Sequence, residues 1–295
     1  MRKYVIKDLE RLSGIKAHTI RIWEQRYGLL EPERTDTNIR YYKDNDLRKL
    51  LNVSLLLEKG LKISKISAMT ETMLHTEVSG YLAGSTKVAD DLETYLRGLI
   101  VAMIELDEDR FHHIFSKSVH EIGFQRTIVE LIYPFLVKIG IMWGVEEINP
   151  AQEHFISCLI RQKMITAIDQ IDLKPYRKST FMLYLSQGEM HEIGLILTHY
   201  LLKAHGFKVI YLGQDVPYRD LCSIYDLTAP SHSMTIFTVP KKTEDVQDFM
   251  DRNQVDMPNT CHLYAGSISH DLTFPKNSEP LYSAPDFISF ITPLA

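Results

Sequence analysis

Ser186-Gln187-Gly188-Glu189-Met190-His191-Glu192-Ile193-Gly194 separates an apolar run, Ser179 to Leu185, from a helical pattern, Glu192 to His205. An apolar strand that runs into a Gly-containing loop and then a helix puts that loop at the carboxyl edge of a parallel sheet, where open α/β domains bind ligands. His191 is therefore presented at an edge rather than buried. A neutral imidazole there can ligate a metal centre, and Glu189 can orient its other nitrogen or touch the same ligand. A lone histidine also serves as an ordinary loop residue, and residue type alone does not separate the two roles.

Outward from this loop, strand and helix patterns alternate: strand 179–185, helix 192–205, strand 207–212, helix 217–227, strand 233–239, helix 242–252, strand 260–266, and an apolar stretch from Phe287 to Ile291. This alternation predicts a Rossmann-like (flavodoxin-like) doubly wound α/β domain over 176–295. Asp271 to Pro280, with Pro275 and Pro280, reads as too irregular for a regular closing helix.

The Glu-x-His-x-x-Gly spacing of Glu189, His191 and Gly194, followed by Phe207 to Pro217, resembles the cobalamin-binding domain, whose usual form is Asp-x-His-x-x-Gly. The resemblance implies that His191 is the lower axial ligand of cobalt and that Glu189 stands at the hydrogen-bonding aspartate. It also implies that Gly194 lets the helix approach the corrin. Later loops of that family bring small residues, a Ser-x-Leu and a Gly-Gly, around the nucleotide tail. Here Thr235-Ile236-Phe237-Thr238 and Ala265-Gly266-Ser267 stand there, with Thr238 and Gly266 as the candidates.

The 295 residues, 45% of them hydrophobic, allow two or three globular domains. No apolar run reaches about 18 residues and Met1-Arg2-Lys3-Tyr4 leads into a charged segment, so a cytoplasmic protein without a membrane partner is expected. Cys158, Cys222 and Cys261 form no Cys-x-x-Cys pair, argue against a zinc ribbon or disulfide scaffold, and read as buried thiols. Net charge is −5, yet residues 1–66 hold 15 Lys or Arg against 9 Asp or Glu. A basic head on an acidic body suits a chain that lays one end on a polyanion.

That head reads as two short helices, Tyr4 to Ser13 and Ala17 to Tyr27, joined through Gly14-Ile15-Lys16. Ile20, Trp23 and Tyr27 face inward, leaving His18, Thr19, Arg21, Gln25 and Arg26 outward. This is a helix-turn-helix, whose second helix fits the major groove. Arg34 to Tyr42 makes a β-wing, with Arg34, Asn38, Arg40 and Tyr41 suited to phosphate oxygens. Thr19 to Leu30, with Pro32, Arg34 and Arg40-Tyr41-Tyr42, resembles the winged-helix domain of MerR-type bacterial transcription regulators. A domain over 1–72 follows, with Asp44 to Lys59 and Leu61 to Ile66 as its later helices. The DNA-binding candidates are Lys16, His18, Thr19, Arg21, Arg26, Arg34, Asn38, Arg40 and Tyr41. By resemblance the partner is a palindromic double-stranded operator bound by a homodimer or homotetramer, with RNA polymerase a further partner.

Thr70 to Ser85 reads as a linker. A central four-helix bundle is expected over 86–172, with inward faces Leu92, Tyr95, Leu96, Leu99, Ile100, Met103; Ile128, Leu131, Ile132, Phe135, Leu136, Ile139; and Phe155, Cys158, Leu159, Gln162, Met164. Trp143, Glu153 and His154 match the Trp-x9-Glu-His signature of the helical domain that caps cobalamin in regulators of this architecture. The match implies that Trp143 packs against the upper ligand, adenosyl first, with Glu153 and His154 nearby. Photoreceptor members carry a histidine after the Trp, where this chain has Gly144.

The expected function is a DNA-binding regulator, not an enzyme, that senses a cobalamin. An alternative keeps the DNA-binding head and leaves the rear domain to oligomerisation. A third, a corrinoid carrier or enzyme, leaves the basic winged head unexplained.

Overall fold

Helix α1 (Ile6–Ser13) stops at Gly14, which takes a left-handed φ of 73° and donates its N–H to the Glu10 carbonyl. Only a residue without Cβ does this cheaply, so the chain turns at once into α2 (Ala17–Tyr27). The computed structural model describes residues 4–34, 38, 40–58, 60–83, 92–144, 149–172, 176–239, 241–266, 268 and 271–294. The helical side chains at 11, 12, 44, 58, 79–83 and 140–144 lie outside that description, as do residues 84–91, which contain the expected boundary at 86. The chain divides into two units, 1–158 and 159–295.

In the first unit, the wing is β1 (Glu33–Arg34) paired antiparallel with β2 (Arg40–Tyr41), and α3 (Asp44–Glu58) supplies the core with Leu47, Leu50, Leu51, Leu55 and Leu56. After α4 (Ile63–Ile66) comes a correction: most of Thr70 to Ser85, expected as a linker, is helix α5 (Glu71–Ala83). Leu74 and Val78, one turn apart, are buried, and α5 packs on α3 and α7 (Glu108–Ile122). Gly80 and Gly84 read locally as breakers of any helical pattern here; the burial of Leu74 and Val78 pins this helix.

Four helical passes follow: α6 (Leu92–Glu105), α7, a third built of α8 (Phe124–Arg126), a π-turn (Thr127–Ile132) and α9 (Tyr133–Gly144), and α10 (Pro150–Asp169). The expected faces of the first and third passes are buried, apart from half-buried Leu92 and Leu136. The α10 face is corrected: Ile156, Leu159, Ile160, Met164 and Ile168 are buried, while Phe155 is half-buried and Cys158 and Gln162 are exposed. The true stripe starts one residue later, and its isoleucines carry it. The thiols are corrected with it, since Cys158 is exposed and Cys222 and Cys261 are half-buried.

An ion network closes this unit around Arg110, whose side chain is 4% exposed. Its guanidinium meets Glu105 at 2.9 Å and Asp107 at 3.4 Å, and His75 of α5 lies 3.6 and 3.4 Å from the same two carboxylates. Between them Leu106 holds a left-handed φ of 56° and sets the two acids side by side.

The second unit is a five-stranded parallel sheet: β3 (Thr180–Ser186), β4 (Lys208–Val216), β5 (His232–Phe237), β6 (Cys261–Gly266) and β7 (Ser278–Leu281), in the order β4-β3-β5-β6-β7. The connecting helices are α11 (Ile193–Ala204), α12 (Tyr218–Thr228), α13 (Thr243–Asp256) and α14 (Ala284–Ile291). Phe181 to Ser186 are buried, as a central parallel strand requires. Register shifts between β3 and β4 carry β4 four residues beyond its expected end and bring Asp215 and Val216 to the carboxyl edge. Asp271 to Pro280 forms no helix, as expected of that irregular stretch, but it does end in an unexpected edge strand, β7 over Ser278–Leu281. Pro280 is tolerated there, where one side of the ladder needs no N–H. Ser283 then caps α14, its Oγ accepting from the Asp286 N–H at 3.2 Å.

Candidate functional site

The positioning of α2 starts one helix earlier. Lys16, the N-cap of α2, offers no side-chain cap; instead the Ala17 N–H donates to Glu10 Oε2 at 3.2 Å and Lys16 Nζ pairs with Glu10 Oε1 at 3.2 Å. The Ala17 hydrogen bond, followed by Lys16, holds the Glu10 carboxyl below its ordinary range. Ile20 is buried, Thr19 half-buried, and His18, Arg21, Gln25 and Arg26 are exposed, so the predicted outward face is solvent-facing. Sequence reading omitted Ile22, which is 50% exposed. It lies one turn from both His18 and Arg26, an apolar side chain of the kind that contacts thymine methyls.

In the wing, Arg34 Nη1 donates to Asn38 Oδ1 at 2.6 Å, Tyr41 OH donates to Glu33 at 2.5 Å, and Lys43 pairs with Glu33. Arg40 Nε sits 3.3 Å from Glu24 Oε1 on α2, and the buried Tyr42 donates its phenol to Glu24 Oε2 at 3.0 Å. Burial, reinforced by Glu24, pushes that phenol well above its ordinary pKa, so it stays a donor. Glu24 thus fastens the wing to the recognition helix.

In the second unit, Gly188 turns the chain out of β3 at a φ of 83° and donates its N–H to Asp215 Oδ1 at 2.8 Å. Glu189 then points inward and is fully buried. Its Oε1 accepts from the His191 N–H at 3.0 Å and lies 2.7 Å from His191 Nδ1; its Oε2 accepts from the N–H groups of Thr238 at 3.0 Å and Val239 at 3.1 Å. Burial raises the Glu189 pKa, but the hydrogen bonds from Val239, His191 and Thr238 outweigh it and hold the group ionised below its ordinary range. An ionised acceptor makes Nδ1 the protonated nitrogen and leaves the lone pair on Nε2, the arrangement a histidine metal ligand needs. The His191 side chain is 57% exposed, and among the described residues Nε2 has no partner.

The pair fits the axial ligand of a cobalt centre; the small residues around it fit less well. A Cβ on Gly194 would stand 3.0 Å from Ile236 Cδ1, and a Cβ on Gly266, at a φ of 93°, 2.3 Å from the Phe237 carbonyl oxygen. Both glycines therefore accommodate the protein's own β5. Thr238 approaches the loop through its backbone N–H.

Glu153 and His154 fall in the first turn of α10, where Asn149 Oδ1 accepts from the Ala151 N–H at 2.9 Å. They contact each other at 3.2 Å, with the His154 side chain 75% exposed. Trp143 lies in α9, and its side chain is outside the described residues.

Residues 4–72 match the family model "MerR HTH family regulatory protein", and residues 95–167 match "B12 binding domain". The HTH-type transcriptional repressor CarH of Myxococcus xanthus is 26% identical over 268 residues, covering 90% of this chain and 89% of that protein. The HTH-type transcriptional repressor CarA of the same organism is 26% identical over 214 residues, covering 72% and 68%. Among solved structures, the monomethylamine corrinoid protein of Methanosarcina barkeri aligns with a TM-score of 0.45 and 14% identity over 74% of this chain and 97% of that one. No helix among the described residues is long and apolar enough to cross a membrane.

Proposed function

For a chain that joins a MerR-type helix-turn-helix domain to a B12-binding domain and is homologous over most of its length to the CarH and CarA regulators, we propose a cobalamin-sensing role in DNA-binding transcription regulation. His191 is the axial ligand, Glu189 its orienting partner, and adenosylcobalamin the form sensed. The observation that carries this reading is the 2.7 Å contact from His191 Nδ1 to the buried Glu189, which leaves Nε2 for cobalt. A bound cobalamin would supply a cobalt for an imidazole to ligate, and this chain's part would be to hold His191, through Glu189, in the tautomer that leaves Nε2 free.

Regulation then follows from linkage. A ligand shifts the protein between two states only by its differential affinity for them, and operator affinity must shift reciprocally. The DNA-bound species is a homodimer or homotetramer on a palindromic operator, presenting two α2 helices about one turn of DNA apart. It works in the cytoplasm beside RNA polymerase, without catalysing a reaction. Trp143, Glu153 and His154 remain ligand-binding candidates with their own variants to test.

The test is absorption spectroscopy of the full chain with cobalamin in the dark, then illuminated, beside a mobility-shift titration. The wild type is expected to show the band shift of imidazole ligation and a changed operator affinity, and His191→Ala to lose both. A wild-type-like spectrum in His191→Ala removes His191 from the site. A second reading, a rear domain kept for oligomerisation alone, is favoured by Ile236 and Phe237 filling the space beside Gly194 and Gly266. Absence of any corrinoid binding would select it.

A further inference from the structure

The junction of α6 and α7 sets two acids, Glu105 and Asp107, against His75 of α5 in the wall of a cavity of about 520 Å³. Arg48 and Asn52 of α3 and Glu71 of α5 line the same cavity. His75 Nε2 lies 3.6 Å from Glu105 Oε2 and 3.4 Å from Asp107 Oδ2, and one ligand atom from each of the three residues falls within 4.8 Å of the others. A tetrahedral ion with bonds of about 2.0–2.1 Å holds its ligand atoms about 3.3–3.4 Å apart. One imidazole nitrogen and two carboxylate oxygens therefore already stand close to that spacing.

Two buried acceptors there lack donors. Asn52 is only 4% exposed, and its Nδ2 donates to Glu105 Oε1 at 3.2 Å, which fixes the orientation of the amide. Its Oδ1 is left buried with no hydrogen-bond partner among the described residues, and so is Glu105 Oε2. Arg110 Nη1 approaches Glu105 Oε2 to 2.9 Å from the buried side, as an ion pair without hydrogen-bond geometry. Buried polar atoms in folded proteins are nearly all bonded, so an amide oxygen and a carboxylate oxygen orphaned beside one imidazole point to a cation. Charge agrees with this. Glu105 and Asp107 carry two negative charges against the single one of Arg110, while Arg48 is shared between Glu105 at 3.9 Å and Glu71 at 4.0 Å.

We propose that His75 Nε2, Glu105 Oε2 and Asp107 Oδ2 bind a divalent transition-metal ion of the zinc class, with a fourth position left for a water that can donate to Asn52 Oδ1. An imidazole among so few ligands selects zinc over magnesium or calcium, which take six or more oxygens. Arg110 supports the two ligating carboxylates from behind, as the partners of metal ligands commonly do. The helix-turn-helix match ends at residue 72, and His75 lies just beyond it on α5. The ion therefore clamps the helix that leaves the DNA-binding domain onto the α6–α7 junction. None of this rests on the His191 reading.

The test is zinc uptake by the full chain, stripped with a chelator and titrated with zinc chloride against a chromophoric indicator, with magnesium and calcium chloride as controls. His75→Ala removes a half-exposed side chain, and Asp107→Asn keeps an acceptor for the Arg110 N–H that starts α7, so both should fold by circular dichroism. His75→Gln stands in should the Ala variant not fold. The wild type is expected to bind zinc at least about tenfold more tightly than either variant and to ignore magnesium and calcium. Zinc should also raise the urea midpoint of the wild type and leave that of His75→Ala unmoved, because a ligand held only by the folded chain stabilises it. His191→Ala and His154→Ala should keep the uptake. No uptake by the wild type, or equal uptake in the His75 and Asp107 variants, overturns the proposal. Uptake lost in His191→Ala or His154→Ala but kept in His75→Ala places the ion at another histidine and overturns it as well.

Discussion

The carboxylate of Glu189 is fully buried 2.7 Å from His191 Nδ1, and its other oxygen accepts two backbone N–H groups from the end of β5. One acid therefore orients the imidazole and ties the β3 loop to the β5 loop.

Replacing it with the neutral isostere separates those two roles. Glu189→Gln keeps the size but offers Nδ1–H no ionised acceptor, so cobalamin affinity read by spectral titration is expected to fall about 10–100-fold, as for other partners of metal-bound histidines. Because the folded carboxyl is held below its ordinary pKa, its stabilisation is complete above that ordinary range and is lost as pH falls through the folded value. The variant should accordingly unfold with a flatter acid dependence in urea titrations. An unchanged acid limb would remove Glu189 from the fold's charge balance.

Arg40 and Arg21 should fail differently on DNA. Arg40 lies on the wing strand β2 and is fastened to Glu24 of α2, so Arg40→Ala is expected to weaken binding alike on all sequences and to lower the salt slope by about 1. Arg21 is exposed on α2, and Arg21→Ala should cost about 1–3 kcal/mol at one base pair and relax specificity there. Mobility-shift titrations over a salt series with single-base operator variants separate the two patterns.

Gly266 and Gly194 make a matched pair for stability. Gly266→Ala must place a Cβ 2.3 Å from a backbone oxygen at a φ of 93°, and should cost at least about 1–3 kcal/mol by chemical denaturation. At Gly194 the obstacle is the far end of the Ile236 side chain at 3.0 Å, and the roughly 0.5–1 kcal/mol that a helix gains from Ala over Gly offsets it. Gly194→Ala should therefore be nearly neutral for folding, and any loss of cobalamin binding in it reports on the ligand.

Burial, helped by Lys203, pushes His199 down to about 4, and burial also lowers His232 and His262. Between the ordinary 6.5 and about 4 the unfolded chain takes up a proton that folded His199 refuses, so stability should fall across that window as pH drops. His199→Phe keeps a ring against Tyr211, which His199 stacks on at 4.9 Å, and removes the proton site. Urea midpoints from pH 7 to 4 should show a shallower decline in this variant.

The sequence by itself determined the helix-turn-helix, because Gly14 can end one helix where few other residues can and the apolar spacing of the next is local. It also determined the strand-helix alternation and the paired placement of Glu189 and His191, since a loop after an apolar parallel strand is bound to emerge at the sheet edge. Only the tertiary structure decided that 71–83 is helical, where Leu74 and Val78 gain burial against elements distant in sequence, and that Pro280 sits in an edge strand. The same holds for the cavity at the carboxyl ends of β3 and β5 that Ser186, Tyr218, Lys241 and Arg252 line. Lys241 precedes α13 and Arg252 lies on it, and their meeting with Ser186 and Tyr218 depends on the order in which the strands pair, which no local pattern encodes.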